Sequence, residues 1–194
     1  MIIILFIMLS YIMGSIPFGY IVGKHFKGID IREHGSGNIG VANVLRVLGI
    51  KCALLVLIGD CLKGIAPLAL VSLLKIESIG FYLIIGTAAI IGHNWSVFLK
   101  FKGGKGIATT YGVVLFFYPY IAIISALIWL IIVIFTKFAA LGSLLSILIM
   151  FLLSFLFITP VEFKIFIIII LIFAIIRHYS NIKRLIKREE HKIV

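Results

Sequence analysis

Glycine, histidine and basic residues gather in three short clusters, and these are where the chain could do chemistry. They are residues 33–40 (Glu-His-Gly-Ser-Gly-Asn-Ile-Gly), residues 102–106 (Lys-Gly-Gly-Lys-Gly, preceded by Gly92 and His93), and residues 177–181 (Arg-His-Tyr-Ser-Asn). In the first, Gly35, Gly37 and Gly40 permit positive φ and close backbone approach. The amides around Ser36 and Asn38, with the Ser36 hydroxyl, can then form an anion nest. Arg46, a few residues on, presents a planar fork that matches phosphate oxygens. In the second cluster, Lys105 lies between Gly103, Gly104 and Gly106 before a predicted helix, which brings together an ammonium, free amides and the positive end of a helix dipole. In the third, His178 and Asn181 are three residues apart and share a helix face, where a histidine can position a hydroxyl, bind phosphate or act as a base. Ser143, at the start of a later apolar run, is on its own a small packing residue. The common chemistry is holding phosphate.

Two look-alike motifs fail on context. Residues 35–40 spell G-x-G-x-x-G, yet no strand, βαβ unit or later acidic residue accompanies them, so dinucleotide binding is not expected. Residues 99–106 resemble a P-loop, but Leu99 replaces the first glycine and Gly106 stands where Ser or Thr should follow the lysine, which excludes nucleotide hydrolysis. No serine triad, paired carboxylates or metal-ligand cluster is legible, so no metal is expected.

The elements that must carry these clusters are membrane helices. The 194-residue chain is 63% hydrophobic, too apolar for a soluble domain, and a crossing needs about 20 residues. Apolar runs cover residues 2–22, 52–74, 79–97, 107–136, 138–158 and 162–176. The fourth is longer than one crossing needs, and Pro119 divides it. Charge decides how it is used: basic residues follow the first run (Lys24, Lys27, Arg32, Arg46, Lys51), return at Lys100, Lys102 and Lys105, and fill the tail, while Lys75 and Glu77 cancel. By the positive-inside rule the N-terminus is outside, and two crossings between Lys105 and Lys137 bring the tail back to the cytoplasm. The expected fold is therefore an all-α integral membrane protein, a bundle of about seven transmembrane helices, some short. All three motif loops lie on its cytoplasmic side, in a single membrane-embedded domain over residues 1–194.

Smaller features fit this plan. The first run lacks a basic leader and a small-residue cleavage site, and reads as a retained helix. Asp60 and Lys63, three apart within a run, are expected to pair structurally. Trp95 fits an interfacial anchor. Cys52 and Cys61 fall on opposite faces of one helix and are not expected to form a disulfide. The net charge of +11 lies at helix ends rather than on a soluble face, so it points to anionic lipid and substrate, not nucleic acid.

In order and spacing these segments resemble the bacterial acyl-phosphate:glycerol-3-phosphate acyltransferases. The resemblance rests on residues 14–20 (Gly-Ser-Ile-Pro-Phe-Gly-Tyr), 30–40, 43–46 (Asn-Val-Leu-Arg), 60–64 (Asp-Cys-Leu-Lys-Gly), 92–93, 101–109 and 177–185. It departs at Ala42, Ser96, Ala140 and Arg188, where that family usually has Thr, Pro, Ser and Gly. The resemblance implies transfer of a fatty acyl group from acyl phosphate to the sn-1 hydroxyl of glycerol 3-phosphate, giving lysophosphatidic acid and phosphate in the first step of phospholipid synthesis. It implies a bacterial inner-membrane location, no cofactor and no obligate protein partner beyond the two substrates and membrane lipid. Ser36, Asn38, Lys105 and His178 would then be catalytic. Gly35, Gly37, Gly40, Arg46, Gly103, Gly104, Gly106, Ser143 and Asn181 would bind substrate. His25 and Asp30 match the H-x4-D pair of other lipid acyltransferases without its surrounding residues, and take no catalytic role. The competing reading from another class is an anion transporter or lipid-binding membrane protein without chemistry, though the chain shows none of the internal repeat usual in transporters.

Overall fold

The computed structural model describes residues 2–76 and 78–193, and among these it is built from ten α-helices with two short 3-10 turns. Chain order runs α1 (Ile2–Ser15), α2 (Phe18–Lys27), α3 (Val41–Leu48), α4 (Ile50–Ser72), α5 (Ile79–Asn94), α6 (Ile107–Phe117), α7 (Pro119–Thr136), α8 (Ala139–Leu156), α9 (Val161–Arg177) and α10 (Tyr179–Ile186). Five apolar stretches are long enough to cross a bilayer, the first being α1 and α2 together. The shorter α6 and α9 are the remaining two of the seven expected. The outer-side charge balance involves Glu77, which lies outside the described residues.

Proline and glycine explain how the helices begin, end and touch. Pro119 opens α7 at its first position, where its missing N–H costs nothing, so the long fourth run becomes two helices as the charge pattern required. α6 therefore covers only about 16 Å. The first run differs from expectation, because Pro17 interrupts it and separates α1 from α2. The Ile16 carbonyl at that break accepts from the Phe18 amide at 3.2 Å and from Lys63 Nζ at 2.8 Å, so this backbone group is satisfied inside the protein. A side chain on Gly64 would strike the Thr109 carbonyl, and one on Gly112 the Cys61 carbonyl, so α4 and α6 pack backbone to backbone. The central core gathers Leu68, Ile85, Val113, Ile147, Phe163 and Ile170 from α4, α5, α6, α8 and α9. Outward-facing Leu73, Phe135, Leu156 and Ile158 are exposed, as lipid-facing side chains should be.

Successive crossings alternate in direction, which puts the ends that carry the three motif clusters together. α3, the start of α6, the start of α8 and the α9–α10 junction meet around one cavity. Two of the positions that depart from the resembled pattern can be read in the backbone. Ser96 has φ −64, a value proline would accept, and its hydroxyl instead donates to the Ser15 carbonyl at 2.6 Å. Arg188 has φ +62, a left-handed turn that glycine would adopt more readily.

Candidate active site

A cavity of about 360 Å³ opens at that end of the bundle, within the range of small-molecule sites. Ser36, Asn38, Gly40, Arg46, Lys105, Gly106, Ser143, His178 and Asn181 all line it, although they span most of the chain. Gly35, Gly37, Gly103 and Gly104 are not among the residues that line it. Its other face is apolar, with Leu57, Ile107, Leu115, Ala126 and Ala140.

Asn43 organises the first cluster. Its amide nitrogen donates to the carbonyls of Ile31, His34 and Asn38, and its oxygen accepts from the Ser36 amide at 2.8 Å. Gly35 and Gly37 adopt φ of +59 and +71, as the turn requires, whereas Gly40 is extended at φ −79 and caps α3. The Gly37 amide is spent on the His34 carbonyl and that of Gly40 on the Asn38 side chain. The anion nest is therefore smaller than the sequence suggested: among the described residues, the Ser36 hydroxyl and the Asn38 backbone N–H are left without a partner. Asn43 received no role from the sequence because its partners come from three separate turns.

The second cluster is held from both sides. The Gly104 amide donates to the His93 carbonyl at 2.9 Å. Arg177 donates through Nε and Nη2 to the Gly104 carbonyl, at 2.9 and 2.7 Å, and through Nη2 to that of Gly103 at 2.9 Å. Its guanidinium lies over the Trp95 ring, 5.5 Å from the centroid, so Trp95 helps hold the arginine that braces the loop. Beneath the loop, Lys63 Nζ pairs with Asp60 Oδ1 at 2.8 Å, with both side chains about 3% exposed. The structural pair expected from sequence is present, and Asp60 and His93 also reach the cavity wall.

Lys105 and the third cluster meet directly. Lys105 Nζ donates to Asn181 Oδ1 at 2.5 Å. Burial pulls the Lys105 ammonium down to about 8, against the opposing pull of Glu190. His178 Nδ1 lies 2.9 Å from the Ala174 carbonyl. A carbonyl can only accept, so Nδ1 carries the proton and Nε2 is left as an acceptor. Burial, then the charge of Lys105, lowers His178 to about 3. It is a neutral ring at any physiological pH. Trp129 Nε1 donates to Ser143 Oγ at 3.2 Å, which leaves the Ser143 proton free for another acceptor. Trp129 sits within an unbroken apolar run and gave no sequence signal.

Arg46 does not stand free. Its Nε donates to the Lys192 carbonyl at 3.0 Å and its Nη2 to that of His191 at 3.3 Å. Glu190 accepts from Asn181 Nδ2 at 2.7 Å and from Arg184 Nε at 3.0 Å. In sequence Glu190 is lost among the basic residues of the tail.

Known proteins resemble this chain over almost its full length. The sequence profile described as glycerol-3-phosphate acyltransferase matches residues 4–188. A protein of that name from Bacillus subtilis (strain 168) is 44% identical over 193 residues, covering 100% of this chain and 98% of its own. One from Alkaliphilus metalliredigens (strain QYMF) is 45% identical over 193 residues, covering 100% and 97%. The crystal structure of PlsY (YgiH), an integral membrane glycerol 3-phosphate acyltransferase, in its glycerol 3-phosphate form superposes with TM-score 0.92 at 39% identity, covering 99% of this chain and 96% of that one. With sequence and fold matched end to end, this multi-pass membrane protein belongs to the glycerol-3-phosphate acyltransferase family.

Proposed function

We propose that this chain transfers a fatty acyl group from acyl phosphate to the sn-1 hydroxyl of glycerol 3-phosphate, releasing lysophosphatidic acid and inorganic phosphate. The observation that carries the reading is one cavity with Arg46, Lys105 and Asn181 at its polar end and an apolar wall beyond. That pairing suits a small phosphorylated acceptor meeting a fatty chain. The solved PlsY structures, one in a glycerol 3-phosphate form and one in a lysophosphatidic acid form, support the same substrate and product.

In this reading Lys105 and Arg46 hold the acceptor phosphate through charge-assisted bonds, each worth roughly 1.5–3 kcal/mol. His178 Nε2 accepts from the sn-1 hydroxyl and, with Ser143, fixes which oxygen attacks. The Ser36 hydroxyl and Asn38 amide meet the charge that develops at the acyl carbonyl. The new ester C–O bond forms as the acyl–phosphate bond breaks. A ring lowered to about 3 stores a proton poorly, so the hydroxyl proton leaves with the departing phosphate. The donor is already activated, and the step calls for no cofactor. Residues 1–194 act as one membrane-embedded unit. The charged end faces the cytoplasm of a bacterial inner membrane, supported by Lys24, Lys27 and Arg184 on the same rim.

The deciding assay uses purified protein with palmitoyl phosphate: phosphate release should require glycerol 3-phosphate, and lysophosphatidic acid should appear in equal amount. Turnover that ignores the acceptor, or that proceeds as well from acyl-CoA alone, would refute the reading. A pH series gives a second expectation. Lys105 binds phosphate only while protonated, and its ammonium is lost as pH rises through about 8. The KM for glycerol 3-phosphate should therefore climb from that pH upward, with no limb from His178 near neutrality.

A further inference from the structure

The residues that would grip the acceptor phosphate are themselves aimed by the end of the chain. After α10, Arg188 takes a left-handed φ of +62 and turns the backbone over the cavity mouth. Residues 189–193 then cross from α10 to the loop between α7 and α8. Along this path, the carbonyls of His191 and Lys192 hold the Arg46 guanidinium. Glu190, its side chain about 5% exposed, accepts from Asn181 Nδ2. That bond fixes the Asn181 amide with its oxygen, not its nitrogen, toward Lys105. The crossing ends on a latch: the Ile193 amide donates to the Lys137 carbonyl at 2.9 Å, and its side chain, 6% exposed, packs among Val133, Ala139, Trp129, Ala42 and Leu45.

We propose that residues 189–193 are a positioning strap for the phosphate site, that Ile193 is its latch, and that strap and phosphate site are assembled together. Neither strap carbonyl is a plausible ligand for an anion, since a carbonyl repels phosphate oxygens. Their use is to orient Arg46, a half-buried side chain whose other contact is a long one, from Nη1 to Asn43 Oδ1 at 3.4 Å. Ile193 touches no substrate in this account, and acts only through Arg46, Asn181 and Lys105. The inference rests on the reading of this cavity as the glycerol 3-phosphate site.

The latch can be cut without touching a membrane helix. Ile193→Asp places a charge in the apolar pocket and should release the strap. The expected result is a KM for glycerol 3-phosphate raised about tenfold, the loss of roughly one charge-assisted bond. The KM for palmitoyl phosphate and the kcat at saturating acceptor should stay near the wild-type values. Ile193→Leu should restore the acceptor KM. A general structural defect would instead lower kcat and melting temperature together and leave both KM values alone, and that pattern overturns the proposal. So does an unchanged acceptor KM in folded Ile193→Asp. If that variant fails to fold, Ile193→Ala thins the latch without a buried charge, and a smaller rise in the same constant decides the matter. Wild-type protein that shows no turnover dependent on glycerol 3-phosphate would instead sink the functional reading beneath the strap.

Discussion

Lys105→Ala should reduce kcat/KM for glycerol 3-phosphate by about 10²–10³-fold, the largest effect expected of any single side chain here. The ammonium sits in the cavity wall with Asn181 Oδ1 as its neutral partner and Glu190 one residue further away. Removing it strands Asn181 and takes a full positive charge from a site built for a phosphate dianion. The effect should fall mainly on the acceptor, because the acyl carbonyl is assigned to Ser36 and Asn38. Steady-state rates at varied acceptor and fixed palmitoyl phosphate separate the two. A purified, folded Lys105→Ala with wild-type kcat/KM would remove Lys105 from the site. Lys105→Arg should not restore full activity, since the larger planar fork must fit where a compact point charge now meets one amide oxygen.

The parts of this site that the sequence makes legible are the parts a bilayer selects against. Glycine clusters and cations stand out in hydrocarbon runs, and so Ser36, Arg46, Lys105, His178 and Asn181 can be picked out before any contact is known. The split of the fourth run was also legible, because Pro119 supplied a break and the charge of the tail demanded an extra crossing. The break at Pro17 was harder to read: the apolar run continues through it, and the Ile16 carbonyl it frees is met by the Phe18 amide and by the Lys63 ammonium 47 residues away. Contacts of high sequence separation were not legible at all. Arg46 meets carbonyls 145 and 146 residues downstream, and Arg177 turns toward Gly103 and Gly104, 74 and 73 residues upstream. Both are arginines beside phosphate-binding motifs, and sequence cannot tell one that faces substrate from one that splints a loop. Gly103 and Gly104 illustrate the same limit: they read as anion-binding amides, and nothing in the sequence signals that the Gly104 amide is taken by His93 and both carbonyls by Arg177.

Gly103→Ala tests that last distinction and is expected to be nearly as damaging as loss of Lys105. A Cβ at position 103 would collide with the His93 carbonyl and crowd the backbone of Asn94, 2.9 Å away. Neither obstacle is a flexible side chain. Both belong to the end of α5, which is packed against α1 through Gly92 and cannot retreat. The loop must therefore move, and it can do so only by breaking the Gly104-to-His93 bond or the carbonyl bonds to Arg177. Lys105 follows directly in the chain and loses its aim at Asn181. A displacement near 1 Å at a positioning group commonly costs about 10²-fold in rate, so kcat/KM for glycerol 3-phosphate should fall by about that factor. The loss would arise although position 103 does not line the cavity and no charge has been changed. If glycine served instead as a direct amide ligand, alanine would keep the N–H and the loss would be small. Tryptic cleavage offers a second readout: freed from its splint, the loop should be cut after Lys102 or Lys105 faster than in wild type. Near-normal kinetics with unaltered cleavage in Gly103→Ala would mean that the loop tolerates the added methyl and that its rigidity does not set the position of Lys105.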